Sequence, residues 1–84
     1  MHNDLRELEL LGTVGCHLCE QAEAILHTLQ QAGCPFRYRV VDIADDDVLF
    51  ERYALLIPVL RGADGEARWP FVEAEVLALT GQPT

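Results

Sequence analysis

Cys16 and Cys19, separated by His17 and Leu18, are the residues of this chain whose type and spacing point to chemistry. They follow an apolar stretch, Leu8, Leu10 and Leu11, that reads as a short strand ending at Gly12 to Gly15. They also open an amphipathic helix. A thiolate is the reactive form of cysteine, and the unpaired N–H groups of a helix N-terminus lower its pKa. Two cysteines three apart lie on nearly the same side of a first helical turn, so their sulfurs can meet. The chemistry this predicts is two-step thiol–disulfide exchange. Cys16, the outer sulfur, would attack a disulfide, and Cys19, one turn deeper, would resolve the mixed disulfide. Neighbouring charges tune the couple in opposite senses. A protonated His17 would stabilise the thiolate and make the disulfide more oxidising, whereas Glu20 and Glu23 would raise the thiol pKa.

The rival chemistry for a close cysteine pair is metal binding. Structural zinc sites take four ligands, often as two close pairs, and only one such pair exists here. Cys34 lies beyond the far end of the first helix, roughly 22 Å from Cys19, and His27 lies roughly 12 Å along the same helix. Neither completes a tetrahedron, so no metal is expected within one chain. Two alternatives stay open: a metal or iron–sulfur cluster held between two subunits, and a redox-sensing interaction domain. Cys34 itself reads as a small, partly buried residue rather than a third redox centre.

The elements that must position the pair follow from changes in apolar period. A helix is predicted over Leu18 to Ala32, with Leu18, Ala22, Ile25, Leu26 and Leu29 on one face, Gly33 as its C-terminal cap and Pro35 preventing continuation. Phe36 to Ile43 alternates as a strand, half covered at first and apolar on both faces at Val40-Val41. Asp45, Asp46 and Asp47 fit the cap and first turn of a second helix, where the dipole favours negative charge. Leu55 to Leu60 is an apolar run broken by Pro58, which sits where a third strand begins. Gly62-Ala63-Asp64-Gly65 reads as a hairpin turn, Ala67 to Phe71 as the returning strand, and Glu73 to Thr80 as a last helix closed by Gly81 and Pro83. The order is β-α-β-α-β-β-α: two parallel strands joined by a right-handed crossover, then a hairpin on the same sheet.

The chain has 84 residues, half of them hydrophobic, which is one domain with a small core. Its formal charge is -8, with six Arg and no Lys. That balance argues against nucleic acid, which needs basic side chains to displace counterions, and against an anionic membrane surface. Met1-His2-Asn3-Asp4 carries no basic n-region and no long apolar run follows, so neither a signal peptide nor a membrane span is visible. With three cysteines, an odd number, the expected compartment is the cytoplasm.

The Gly15-Cys16-His17-Leu18-Cys19-Glu20 run, the segment from Arg52-Tyr53 to Ile57-Pro58-Val59-Leu60, and Trp69-Pro70-Phe71 together resemble the thioredoxin superfamily. More closely, they resemble small bacterial glutaredoxin-like domain proteins, from about Leu8 to Thr80. The resemblance implies an α/β, thioredoxin-like fold: one domain over 1–84, a four-stranded mixed sheet and helices on both faces. It implies a thiol–disulfide oxidoreductase in cell redox homeostasis, acting as a monomer on protein or small-molecule disulfides. In that superfamily the proline matching Pro58 is cis and faces the cysteines. The residue before it, here Ile57, contacts the bound thiol substrate through its backbone, and Val14 joins them as an expected substrate contact. No resident cofactor is implied. Glutathione is the co-substrate of related proteins, but the groups that usually hold it are missing. Thr13-Val14-Gly15 replaces the usual Lys-bearing segment, and Arg68-Trp69-Pro70-Phe71 replaces a Gly-Gly-Asp segment. Arg52, Arg61 and Arg68 are the cations left as substitutes. The Trp that precedes the pair in thioredoxins is also missing, and Trp69 reads as a core or rim residue instead.

Overall fold

The computed structural model describes residues 6–63 and 65–80. In chain order these form β1 (Arg6–Gly12), α1 (His17–Gln31), β2 (Phe36–Asp42), α2 (Asp47–Tyr53), β3 (Val59–Gly62), β4 (Gly65–Arg68) and α3 (Glu73–Leu79). The four strands make one mixed sheet in the order β2-β1-β3-β4. β1 runs parallel to β2 and antiparallel to β3, and β3 pairs antiparallel with β4. This is the predicted α/β architecture, with β1 inside the sheet and its C-terminal end feeding the cysteines.

Alternation along the strands divides the core between the two faces. Leu8, Leu10, Leu60 and Ala67 meet Ala22, Leu26 and Leu29 of α1 and Val76 and Leu79 of α3. On the opposite face Leu11 and Val59 meet Ile43 and Tyr53, with Leu49 and Leu56 packed at the margin. A one-residue slip of β1 would exchange Leu10 for Glu9 in the larger cluster, so burial holds the register.

Polar residues form a second ordered feature on the α2 side of the sheet. The register places Arg39, Glu9, Arg61 and Glu66 in one row across all four strands. Arg39 and Arg61 both donate to Glu9, Arg61 Nε at 2.8 Å from Oε1. Tyr53, which ends α2, donates its hydroxyl to Glu66. A cleft of about 400 Å³ opens beside this row, lined by Glu7, Glu9, Arg37, Arg39 and Arg61 among others. It lies toward the start of β1, remote from the cysteines.

The Arg61 guanidinium, joined by Arg39 and opposed by burial, holds the Glu9 carboxyl below its usual range. Because the folded protein binds this proton less readily than the unfolded chain, the stabilisation is present above the ordinary carboxylate pKa. It is lost as pH falls through the folded value. Glu9→Gln is expected to lower stability by about 1–2 kcal/mol at pH 7, from hydrogen bonds between charged partners. In urea unfolding the gap to wild type should close below the carboxylate range. A gap that stays constant with pH would contradict the assignment.

Several boundaries differ from those read in the sequence. Asp45 closes a 3-10 turn, Ile43–Asp45, and Asp46 alone caps α2, its Oδ1 accepting from Val48 and Leu49 N–H. The β2 strand ends at Asp42, because Ile43 turns inward to the smaller cluster. Val40 and Val41 put an apolar side chain on each face of β2 as read, but Val40 is exposed and Val41 half-buried. The returning strand is Gly65–Arg68, not Ala67 to Phe71, because Pro70 lacks the N–H that a ladder needs. Gly33 takes a φ of +100°, as a helix C-terminal cap requires. The readings of Met1–Asp4, Asp64, Gly81 and Pro83 fall outside the described residues.

Candidate functional site

Thr13 to Gly15 turns the chain from β1 into α1. The Cys16 N–H donates to the Thr13 carbonyl at 3.2 Å, and Gly15 supplies a φ of +81° that side chains rarely adopt. Cys16 is thereby set as the N-cap of α1. Its Sγ accepts from the Cys19 backbone N–H at 3.1 Å, so the sulfur takes the place an Asp or Ser oxygen usually holds. Cys16 and Cys19 are joined as a disulfide, with Cα atoms 5.2 Å apart. Cys16 is half-buried and Cys19 is buried beneath it. The outer-and-inner arrangement read from the spacing is thus the one the helix produces.

Gly12, the last residue of β1, sits directly under Cys19. A Cβ built there would stand 2.7 Å from the Cys19 Sγ. The β1–β3 register pairs Leu11 with Val59, and one step further puts Pro58 level with Gly12. Pro58 is buried and follows a cis bond from Ile57. The loop carrying it is pinned at both ends: Leu56 and Ile57 N–H donate to the Tyr53 carbonyl at 2.8 and 3.1 Å, and the Pro58 carbonyl accepts from Trp69 N–H at 3.2 Å. The pair and the proline loop therefore arise from neighbouring strands at one end of the sheet.

Around this end the apolar rim is open. Val14 is 89% exposed, Leu18 43% and Leu55 98%, while Ile57 is half-buried. His17 projects into solvent. Glu23, placed in sequence among the residues that tune the pair, is turned to β2 instead, where it accepts from the Tyr38 hydroxyl at 2.7 Å. Burial first, and Glu23 second, push the Tyr38 hydroxyl above its ordinary pKa. Of the substitute cations, Arg61 is held by Glu9, and Arg52 lies over the Tyr53 ring at 5.4 Å; Arg68 is exposed. Trp69 packs edge-on against Phe71, centroids 5.2 Å apart, at the margin of the larger cluster. Cys34 is a free, half-buried thiol at the other end of α1. Among the described residues, no group of three or more His, Cys, Asp or Glu is arranged to hold a metal ion. No helix among them is long and apolar enough to cross a membrane.

The sequence model of the glutaredoxin-like domain family (DUF836) matches residues 7–80. The chain belongs to that family. Solved structures of the same fold include the X-ray structure of protein XcR50 from X. campestris. It is 38% identical, with 90% of this chain and 99% of that one covered and a TM-score of 0.68. The solution structure of protein Ne2328 from Nitrosomonas europaea is 32% identical, covers 93% and 95% of the two chains, and superposes with a TM-score of 0.74. No curated protein matches the chain. The glutaredoxin-like domain thus spans the sheet, all three helices and the Cys16–Cys19 pair. Sequence reasoning missed Gly12 and Tyr53 as supports of the site. The signals were a glycine ending the strand before the pair, and an aromatic one helical turn beyond Leu49 and five residues before Pro58.

Proposed function

We propose that this glutaredoxin-like domain is a thiol–disulfide oxidoreductase of cell redox homeostasis, with Cys16 as nucleophile and Cys19 as resolving thiol. The observation that carries the reading is the Cys16 sulfur at the N-cap of α1, accepting the Cys19 N–H while within bonding reach of the Cys19 sulfur. A backbone donor aimed at Cys16 favours its anion, and the anion is what attacks. In the reduced protein the Cys16 thiolate attacks one sulfur of a substrate disulfide and expels the other as a thiolate. The Cys19 thiolate then attacks Cys16, releases the second substrate thiol, and leaves the Cys16–Cys19 disulfide. Two electrons pass from the protein to the substrate.

The uncovered Val14, Leu18 and Leu55 support a polypeptide disulfide flanked by apolar side chains as substrate. Ile57 and Pro58, on the neighbouring strand end, form the floor of the groove in this reading. Glutathione then serves as the reducing co-substrate, without the Lys that usually holds it. The cytoplasm, where reduced thiols are maintained, is the compartment that fits such a cycle.

The test is a redox titration. Protein equilibrated in graded glutathione buffers is acid-quenched, alkylated, digested and read by mass. The expected result is a reversible Cys16–Cys19 disulfide with a definite midpoint. Absence of that disulfide at every poise would refute the reading and turn attention to metal content and oligomeric state.

A further inference from the structure

Gly12 has no conformational reason to be glycine. The described glycines with positive φ are Gly15, Gly33 and Gly65, so the Gly12 backbone is open to an L side chain. What excludes one is the resolving cysteine: a Cβ would stand 2.7 Å from Cys19 Sγ and 3.4 Å from Cys19 Cβ. Gly62 offers a useful contrast. A Cβ there would meet Leu8 Cδ2 at 2.6 Å, but that is the far end of a flexible side chain, which can turn aside. Cys19 Sγ has that freedom in only one of its two states. As a thiol it can rotate about χ1 among staggered wells. As a disulfide it is held by α1 at one end and by the Cys16 sulfur at the other.

Resting on the redox reading above, we propose that Gly12 is a positioning residue that sets the redox equilibrium of the Cys16–Cys19 pair. Its bare Cα provides the space that the oxidised sulfur requires and that the reduced sulfur can do without. The equilibrium is balanced against glutathione disulfide. Two protein thiols give up two protons and two electrons, one S–S bond forms in the protein, and one breaks to release two glutathione thiols. A methyl at position 12 crowds the product of this reaction more than its reactant, because overlap in a packed site is relieved only where a side chain can move.

The experiment uses the full chain. Wild type and Gly12→Ala are equilibrated in the same glutathione buffers and quantified by alkylation and mass. The variant's equilibrium constant for forming the disulfide should fall at least tenfold, which moves the midpoint about 30 mV in the oxidising direction for a two-electron couple. A wild-type pair that titrates while the variant stays within twofold of it would overturn this proposal and leave the redox reading intact. A wild-type pair that forms no disulfide would overturn both. If Gly12→Ala folds only when reduced, thermal midpoints of the Cys19→Ala and Gly12→Ala/Cys19→Ala proteins show whether Cys19 Sγ is what the methyl meets; a reduced Gly12→Ala that fails to fold would overturn the proposal, since the reduced sulfur can turn aside. With Cys19 Sγ removed the methyl has room, so the second substitution should change the midpoint little. A collapse in that background as well would show that Gly12 serves packing alone and would overturn the proposal.

Discussion

Cys16→Ser is expected to lose disulfide reductase activity by about 10³-fold or more, whereas Cys19→Ser should keep the first attack and accumulate mixed disulfide. The asymmetry follows from position. Cys16 is the less buried sulfur and receives the Cys19 N–H, so it is the thiol that can be anionic and reach a substrate. A serine hydroxyl in that place ionises far above neutral pH and leaves no nucleophile. Cys19 lies buried over Gly12, where a substrate sulfur has little access but the Cys16 sulfur is already within bonding distance. Removing it leaves the Cys16–substrate bond without an internal attacker. The measurement is reduction of a model disulfide followed by mass spectrometry under non-reducing conditions. A Cys16-linked adduct should build up in Cys19→Ser alone. Wild-type-like rates in both variants, or an adduct on Cys19 instead, would contradict the assigned roles.

Leu10→Ala should remove about 2–5 kcal/mol of stability, the range for emptying a buried leucine site. Leu10 is fully buried in β1, flanked by Val40 of β2 and Leu60 of β3, and faces α1 and α3. An interior strand pinned on both sides has little freedom to collapse into the space, so the upper half of the range is expected. At about 0.05–0.15 kcal/mol per residue, the whole domain has only ~4–13 kcal/mol to lose. The substitution therefore brings the protein near its unfolding threshold at ordinary temperature. Urea unfolding should show a lower midpoint with an unchanged slope, and the cold, folded variant should retain the wild-type redox midpoint. A loss below about 1 kcal/mol would mean that Leu10 is not the keystone its burial indicates.

Much of the architecture was legible because its signals are local. The alternation of Leu8, Leu10 and Leu11, the helical spacing from Ala22 to Leu29, and the Gly33-Cys34-Pro35 stop each act within a few residues. The Cys16–Cys19 pair was legible for the same reason, since strand, turn and helix N-terminus are contiguous. What escaped depends on register between distant segments. Nothing near Glu9 in sequence announces Arg39 and Arg61, and nothing near Gly12 announces that Cys19 packs down on it. The early end of β4 escaped because Pro70, which has no N–H for the ladder, interrupts a pattern that the apolar side chains alone would continue. The acidic run before α2 was read correctly as a helix start, but not as a 3-10 turn followed by a single cap at Asp46. Three adjacent carboxylates cannot say which of them accepts the hydrogen bonds.

The β2 strand has one further implication, for how the sheet stops growing. As an edge strand it leaves a line of backbone donors and acceptors with no fifth strand among the described residues to meet them. Two molecules joining there in antiparallel fashion about a two-fold at Tyr38, as one continuous sheet, would set Arg37 of each copy opposite Arg39 of the other. Like charges placed opposite one another oppose that pairing, and both side chains are exposed at the edge. The edge thus carries its own deterrent to edge-to-edge self-association, written in two residues that lie away from the cysteine pair.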